Sequence, residues 1–256
     1  MRSTERSEAT LDRRLAWDGC ANVRDLGGHP VVGGGTTAYG AVVRADSVRR
    51  LSEAGWRQLV DYGIETIVDL RMHDELAADP PDAVPVNVVH VPVLPEPDWP
   101  HWHEIDTVSE AALDGASSTQ AVYLEFLDRF AKRFAAAISA VAAAPPGGVL
   151  VHCMVGKDRT GLVVALLLRL AGVPVAEIAA DYAQSEHNLF NLTRPWIEEA
   201  ADERERARRE RLSATPAQSM EGVLREVDRR GGTAAYLAAA GVRNDELVAV
   251  RARLRG

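Results

Sequence analysis

Apolar runs bounded by glycine and proline alternate with amphipathic stretches in the first part of the chain. The remainder carries apolar residues at helical spacing. Ala41-Val42-Val43-Arg44 follows a glycine turn at Gly33–Gly35 and reads as a strand. Ser52 has N-cap chemistry for a helix through Tyr62, and Gly63 stops it. Glu65 to Leu70 is a β-branched strand, and Val86 to Val93 is another. Pro92, Pro95, Pro97 and Pro100 then make Leu94 to Ala116 a long loop. The spacing of apolar residues from Gln120 to Ala144 predicts one long helix packed on the sheet. Gly147-Gly148 turns into a short buried strand, Val149 to Val151. Helices are expected near 159–171, 174–190, 195–212, 217–229, 232–240 and 243–253, while residues 1–14 are expected to be loosely attached. Strands alternating with helices, then a helical half, predict an α/β fold with a mostly parallel central sheet flanked by helices. No linker or repeat divides residues 1–256, so a single domain is expected.

Composition narrows the function. The chain has 256 residues, 46% of them hydrophobic, so it can bury a sizeable core. Its formal charge of -8 argues against nucleic-acid binding, which wants a basic face. Any pull on an anionic substrate must therefore come from local groups. Cys20 and Cys153 are the two cysteines, too few for a disulfide framework, which fits a reducing cytoplasm. Met1 to Arg14 lacks the apolar core of a signal peptide. Leu162 to Leu168 is too short to span a bilayer, so no stable membrane insertion is expected.

The chemistry concentrates in residues 152–161, His-Cys-Met-Val-Gly-Lys-Asp-Arg-Thr-Gly. Cys153 falls where a strand ends and a helix begins. Such a loop aims backbone N–H groups and a positive helix end into one concavity, which suits a phosphate-sized dianion. The same field favours a thiolate. Arg159 adds a planar fork able to hold two phosphate oxygens. Taken singly these features are ordinary: a lone buried Cys is usually structural. A rhodanese-type sulfur transferase also carries a Cys in a tight loop, but needs no Arg–Thr pair after five intervening residues.

The segment resembles the Cys-x₅-Arg loop of protein tyrosine phosphatases. Within them it resembles a bacterial atypical group whose members act on phosphotyrosine, phosphoserine/threonine and phosphoinositides. Asn22-Val23-Arg24-Asp25-Leu26-Gly27-Gly28 is similar to that group's N-terminal signature. Ile67-Val68-Asp69-Leu70-Arg71 is similar to its Val-Asp-Leu-Arg strand end. The pattern from Tyr236-Leu237 through Gly241 to Glu246-Leu247 resembles it more weakly. Val155 and Val23 depart from the usual Ala and Phe, and both swaps are apolar. The resemblance implies a phosphatase fold, an essential role for Asp158, and a phosphoprotein or phosphoinositide as substrate.

Roles follow. Cys153 is the expected nucleophile, forming a phosphocysteine that water hydrolyses. Arg159 and the N–H groups of Met154, Val155, Gly156, Lys157 and Gly161 are the expected phosphate cradle. Thr160 could donate to the thiolate, and His152 is expected to brace the loop. The general acid is Asp158 first, Asp69 second and Asp98 third, Asp98 lying in Asp98-Trp99-Pro100. Asp69 could instead only order the loop through Arg71. Lys157 is expected at the pocket rim, where it would favour a second phosphate, or else to face solvent beside Asp158. Arg24 and Asp25 are expected to shape the pocket floor through an ion pair, or to be purely structural. Cys20 is either a small buried residue or a disulfide partner for Cys153. Trp196 to Arg211 reads as an exposed helix laced by ion pairs, either a solvated face or a lid. No metal or cofactor is needed: His101-x-His103-Glu104 fits no common zinc spacing.

Overall fold

The computed structural model describes residues 13–79 and 84–256. The looseness expected of residues 1–14 falls largely on positions 1–12, outside the described residues. Arg13 and Arg14 are held: Arg13 donates to Asp181 at 3.2 Å, and Arg14 bridges to Arg24.

The strands are β1 (Arg24–Asp25), β2 (Val42–Ala45), β3 (Ile64–Asp69), β4 (Asn87–His90) and β5 (Gly148–His152). They form one sheet in the order β1-β2-β5-β3-β4. β2, β5, β3 and β4 run parallel, and the two-residue β1 lies antiparallel on the edge. β5 is central and every one of its residues is buried, which is why Val149–Val151 reads as an unbroken apolar run. Alternation still sorts its side chains. Val149 and Val151 join Val42 and Val68 in one core, while Leu150 joins Val43 and Ile67 in the other.

Trp17, Val23 and Leu59 cover the second core, Leu59 from α1 (Glu53–Asp61), whose N-cap Ser52 accepts from Gly55 at 3.1 Å. The first core is larger. It takes side chains from α4 (Gly115–Arg129), α5 (Ala131–Ala143), α6 (Asp158–Leu170), α7 (Val175–Glu198), α9 (Ala217–Arg229), α10 (Thr233–Ala239) and α11 (Asn244–Arg255).

Four elements differ from the sequence expectation. α2 (His73–Ala78) was not expected. Its N-terminal N–H groups are closed by Glu96, which accepts from His73 at 2.9 Å and Asp74 at 3.1 Å, a cap invisible to local pattern. The expected loop at 94–116 contains α3 (Trp102–Glu110). The prolines end at Pro100, and the Trp102 ring then packs edge-on against Phe126. The single helix expected over 120–144 is two, broken at Phe130, where no Gly or Pro marks the turn. Conversely, α7 runs unbroken through Pro195. Pro195 removes one intrahelical bond, but the carbonyl it frees belongs to Asn191, an exposed residue that water can serve. α8 (Glu203–Ser213) follows after a short break, capped by Asp202.

Candidate active site

Cys153 lies just past the carboxyl end of β5, and α6 begins at Asp158. The loop between them is held from behind. Ser47 N–H donates to the Met154 carbonyl at 3.0 Å. Asn22 Nδ2 donates to the carbonyls of Val155 and Gly156, each at 3.1 Å. Arg44 adds a bond to Gly156 at 2.8 Å. A trans peptide sets its N–H opposite its C=O. Turning three carbonyls back therefore turns the N–H groups of Val155, Gly156 and Lys157 toward the other side, with the N-terminus of α6 behind them. Gly156 makes the wrap feasible. Its φ is +65°, and a Cβ there would lie 2.2 Å from the Ala45 carbonyl oxygen, so no side chain fits.

Cys153 is buried at the floor. His152 Nδ1 donates to the Cys153 carbonyl at 3.0 Å; a carbonyl only accepts, so the proton is on Nδ1. Burial holds this imidazole below its ordinary pKa, against the pull of Asp69, and the ring braces the loop. The Thr160 hydroxyl is buried in the first turn of α6 with no partner among the described residues. Both cysteines are free. Cys20 donates to the Ser47 carbonyl at 3.5 Å, and burial raises its thiol pKa well above the ordinary value.

Arg159 meets a partner that the sequence did not suggest. Glu75, on α2, accepts from Arg159 Nη1 and, at 2.8 Å, from Nη2. Burial opposes the Arg159 charge, but Cys153 and Glu75 more than offset it and raise its pKa. Burial likewise opposes the Glu75 charge, and Arg159 outweighs it, holding the carboxylate below its ordinary range.

The three acid candidates separate. Asp158 Oδ1 accepts from the Tyr123 hydroxyl at 2.5 Å, and its side chain keeps 40% exposure. Asp69 is gripped through both oxygens by Arg71, the shortest contact being 2.8 Å. Burial opposes its ionisation, but His152 and Arg71 hold it below the usual carboxylate range. It orders the chain beside the loop and has no oxygen free to deliver a proton. Asp98 is exposed in the turn before α3.

Lys157 does not stand at the rim. It is 7% exposed; its ammonium donates to the Leu212 carbonyl and lies 3.5 Å from Asp158 Oδ1. The last carbonyls of α8 form the negative end of that helix, which attracts the ammonium. The stretch expected as one exposed helix is the end of α7 plus α8, and α8 buries no residue.

Arg24 and Asp25 do not pair with each other. Neighbours on a strand point to opposite faces. Asp25 accepts from Gly27 N–H at 2.5 Å and Gly40 N–H at 2.7 Å. Arg24 turns to the fully buried Asp181 of α7, at 2.9 Å. Asp181 also binds Arg44 at 2.8 Å, and Arg24 braces Asn22 at 2.6 Å. Both residues that hold Gly156 are thus set by this cluster. Burial opposes the Asp181 charge, and Arg24 and Arg44 pull its pKa well below the ordinary value.

The model of the tyrosine phosphatase family matches residues 15–256. The chain belongs to that family. It is 32% identical over 234 residues to the triple specificity protein phosphatase PtpB of Mycobacterium tuberculosis, covering 81% of each chain. It is 33% identical over 156 residues to a tyrosine-protein phosphatase of Nostoc commune, covering 58% of this chain and 49% of that one. The chain thus spans about half the length of the Nostoc protein. The five-stranded, mostly parallel sheet and flanking helices are consistent with a phosphatase fold.

Glu75, Tyr123 and Asp181 are among the residues of this candidate site that escaped sequence reasoning. Asp181 left a signal. It falls on the buried stripe of α7 with Ile178, Tyr182, Ser185 and Leu189, where a carboxylate needs buried cationic partners. Among the described residues, no helix is long and apolar enough to cross a membrane.

Proposed function

We propose that the chain is a cysteine-dependent phosphatase that hydrolyses phosphomonoesters, with phosphotyrosine in proteins as the first substrate class. One observation carries the reading. The carbonyls of Met154, Val155 and Gly156 are all held from behind, which turns the loop N–H groups toward the side where a phosphate would meet the Cys153 sulfur and Arg159. Such preorganised donors stabilise the charge on phosphoryl oxygens as it develops.

In the first step the Cys153 sulfur supplies the electron pair for an S–P bond. The P–O pair leaves with the departing oxygen, which takes a proton from Asp158. In the second step Asp158 removes a proton from water, whose oxygen attacks phosphorus. The S–P pair returns to sulfur and inorganic phosphate departs. Asp69 serves only to order the loop.

The contact of Lys157 with Leu212 supports reading 195–212 as a lid whose α8 end rests on the phosphate loop. It also ties up the cation that a second phosphate would need, and so favours phosphotyrosine over a phosphoinositide. The name of the Mycobacterium relative, triple specificity, favours a wider range.

The test is hydrolysis of a phosphotyrosine peptide and of phosphoinositides, with and without vanadate, by the native chain and by Cys153→Ser. Vanadate-sensitive turnover, faster on the peptide and lost in the variant, is expected. Turnover retained in Cys153→Ser would overturn the mechanism.

A further inference from the structure

We propose that Tyr123, backed by Tyr182, is a positioning residue that fixes which oxygen of Asp158 delivers the proton to the leaving group. The proposal deepens the phosphatase reading and rests on it.

Tyr123 comes from α4 and is 2% exposed. Its hydroxyl lies 2.5 Å from Asp158 Oδ1 and 2.9 Å from the Tyr182 hydroxyl. A phenol has one proton to give, and an ionised carboxylate can only accept. Tyr123 therefore donates to Oδ1 of the ionised Asp158, and to the same oxygen when the acidic proton sits on Oδ2, while Tyr182 donates to the Tyr123 oxygen. The chain of donors runs in one direction, from α7 through α4 to the first residue of α6. Burial, then the Asp158 charge, raises the pKa of both phenols, so the chain persists at neutral pH.

Lys157 approaches the same oxygen, to 3.5 Å. Phenol and ammonium thus both engage Oδ1, and Oδ2 is left to carry the proton. An aspartate carboxyl rotates broadly about its last torsion. Without a partner on Oδ1, the acidic proton would sit on either oxygen and face the leaving group only part of the time. General acid catalysis needs the proton within hydrogen-bond reach of the departing oxygen.

The backing tyrosine is seated closely. A Cβ on Gly161 would lie 3.1 Å from the Tyr182 ring, so the glycine lets that ring approach the first turn of α6. Tyr123 and Tyr182 meet edge to face, with centroids 6.1 Å apart and planes at 81°, a geometry that holds both hydroxyls in line.

The test is a series of aryl phosphates whose leaving groups range from nitrophenolates to phenol, turned over by the native chain, Tyr123→Phe, Tyr182→Phe and Asp158→Asn. General acids contribute roughly 10²–10⁴-fold. Misalignment in Tyr123→Phe should cost about ten-fold in kcat for phenyl phosphate and under about two-fold for the best leaving group. Vanadate inhibition should be unchanged, whereas damage to the loop would weaken it. Tyr182→Phe should shift the series in the same sense by a smaller factor, and it carries the test if Tyr123→Phe does not fold. Adding Tyr123→Phe to Asp158→Asn should leave the leaving-group dependence where Asp158→Asn alone puts it.

Equal losses across the series, or none, in Tyr123→Phe overturn the proposal. If Asp158→Asn shows leaving-group dependence and Tyr123→Phe does not, the proposal alone falls. If neither shows it, the acid assignment falls with it, while the role of Cys153 stands on its own trapping experiment.

Discussion

Glu75 grips Arg159 end-on: its two oxygens meet Nη1 and Nη2, the second at 2.8 Å. This contact uses the far end of the guanidinium fork and leaves the Nε edge for a phosphate oxygen. Glu75 itself is anchored. Its carboxylate accepts from Met72 N–H at 2.8 Å, and Glu96 closes the start of the same helix. The ion pair therefore aims the arginine from a fixed point.

Glu75→Ala should lower kcat/KM about ten-fold, or about 1.4 kcal/mol of transition-state stabilisation. The guanidinium would lose its aim, and vanadate should bind less tightly. Steady-state kinetics with vanadate titration checks both. If Glu75 merely competed with substrate for Arg159, the variant would instead bind vanadate more tightly.

Asp181→Asn should destabilise the fold, because Arg24 and Arg44 would be left as buried charges short of a partner. Removing one member of a buried pair costs about 3–5 kcal/mol. The Asp181 pKa is depressed in the folded chain. Its contribution is therefore full above the unfolded-state value of about 3.9 and is lost as pH falls through the folded value. Denaturant melts of the two proteins should differ by a constant amount from about pH 5 to 8 and converge only below about pH 4. Convergence near neutral pH would contradict the assignment. The Gly156 carbonyl loses its brace in the same variant, so kcat should fall as well.

Lys157→Ala should loosen α8 from the loop. The ammonium is the contact from the loop to the Leu212 carbonyl, and α8 buries no side chain of its own. Amide exchange over 203–213 should quicken in the variant, since local opening there has little buried surface to oppose it. Unchanged exchange would mean that the contacts of Arg209 with Trp196 hold α8 without help from Lys157.

The site loop was legible because nucleophile, cradle and cation are contiguous at 152–161, and because the apolar runs on either side are local patterns. Its supports were not. Glu75 reaches Arg159 from α2, Tyr123 reaches Asp158 from α4, and Asp181 gathers Arg13, Arg24 and Arg44 from the opposite end of the chain. Each is a tertiary pairing that periodicity does not encode. The missed helices have the same origin. α2 is capped by Glu96 from the loop after β4, and Phe130 ends α4 because its ring packs against Trp99, not because of its own propensity. Lys157 was misread for a related reason. Its position between Gly156 and Asp158 suggested a rim, and the carbonyl that captures it belongs to α8.

In the proposed mechanism the phosphoryl group passes through Cys153. Asp158→Asn should slow the second step, in which the aspartate takes a proton from water, and so let the intermediate accumulate. The decisive measurement is acid quench of Asp158→Asn during turnover of a nitrophenyl phosphate, followed by mass spectrometry of the peptide that contains residue 153. A phosphoryl group on Cys153, formed in a burst and absent in Cys153→Ser, is the expected result. Continued turnover with no phosphoryl group on Cys153, or one attached to another residue, would contradict it.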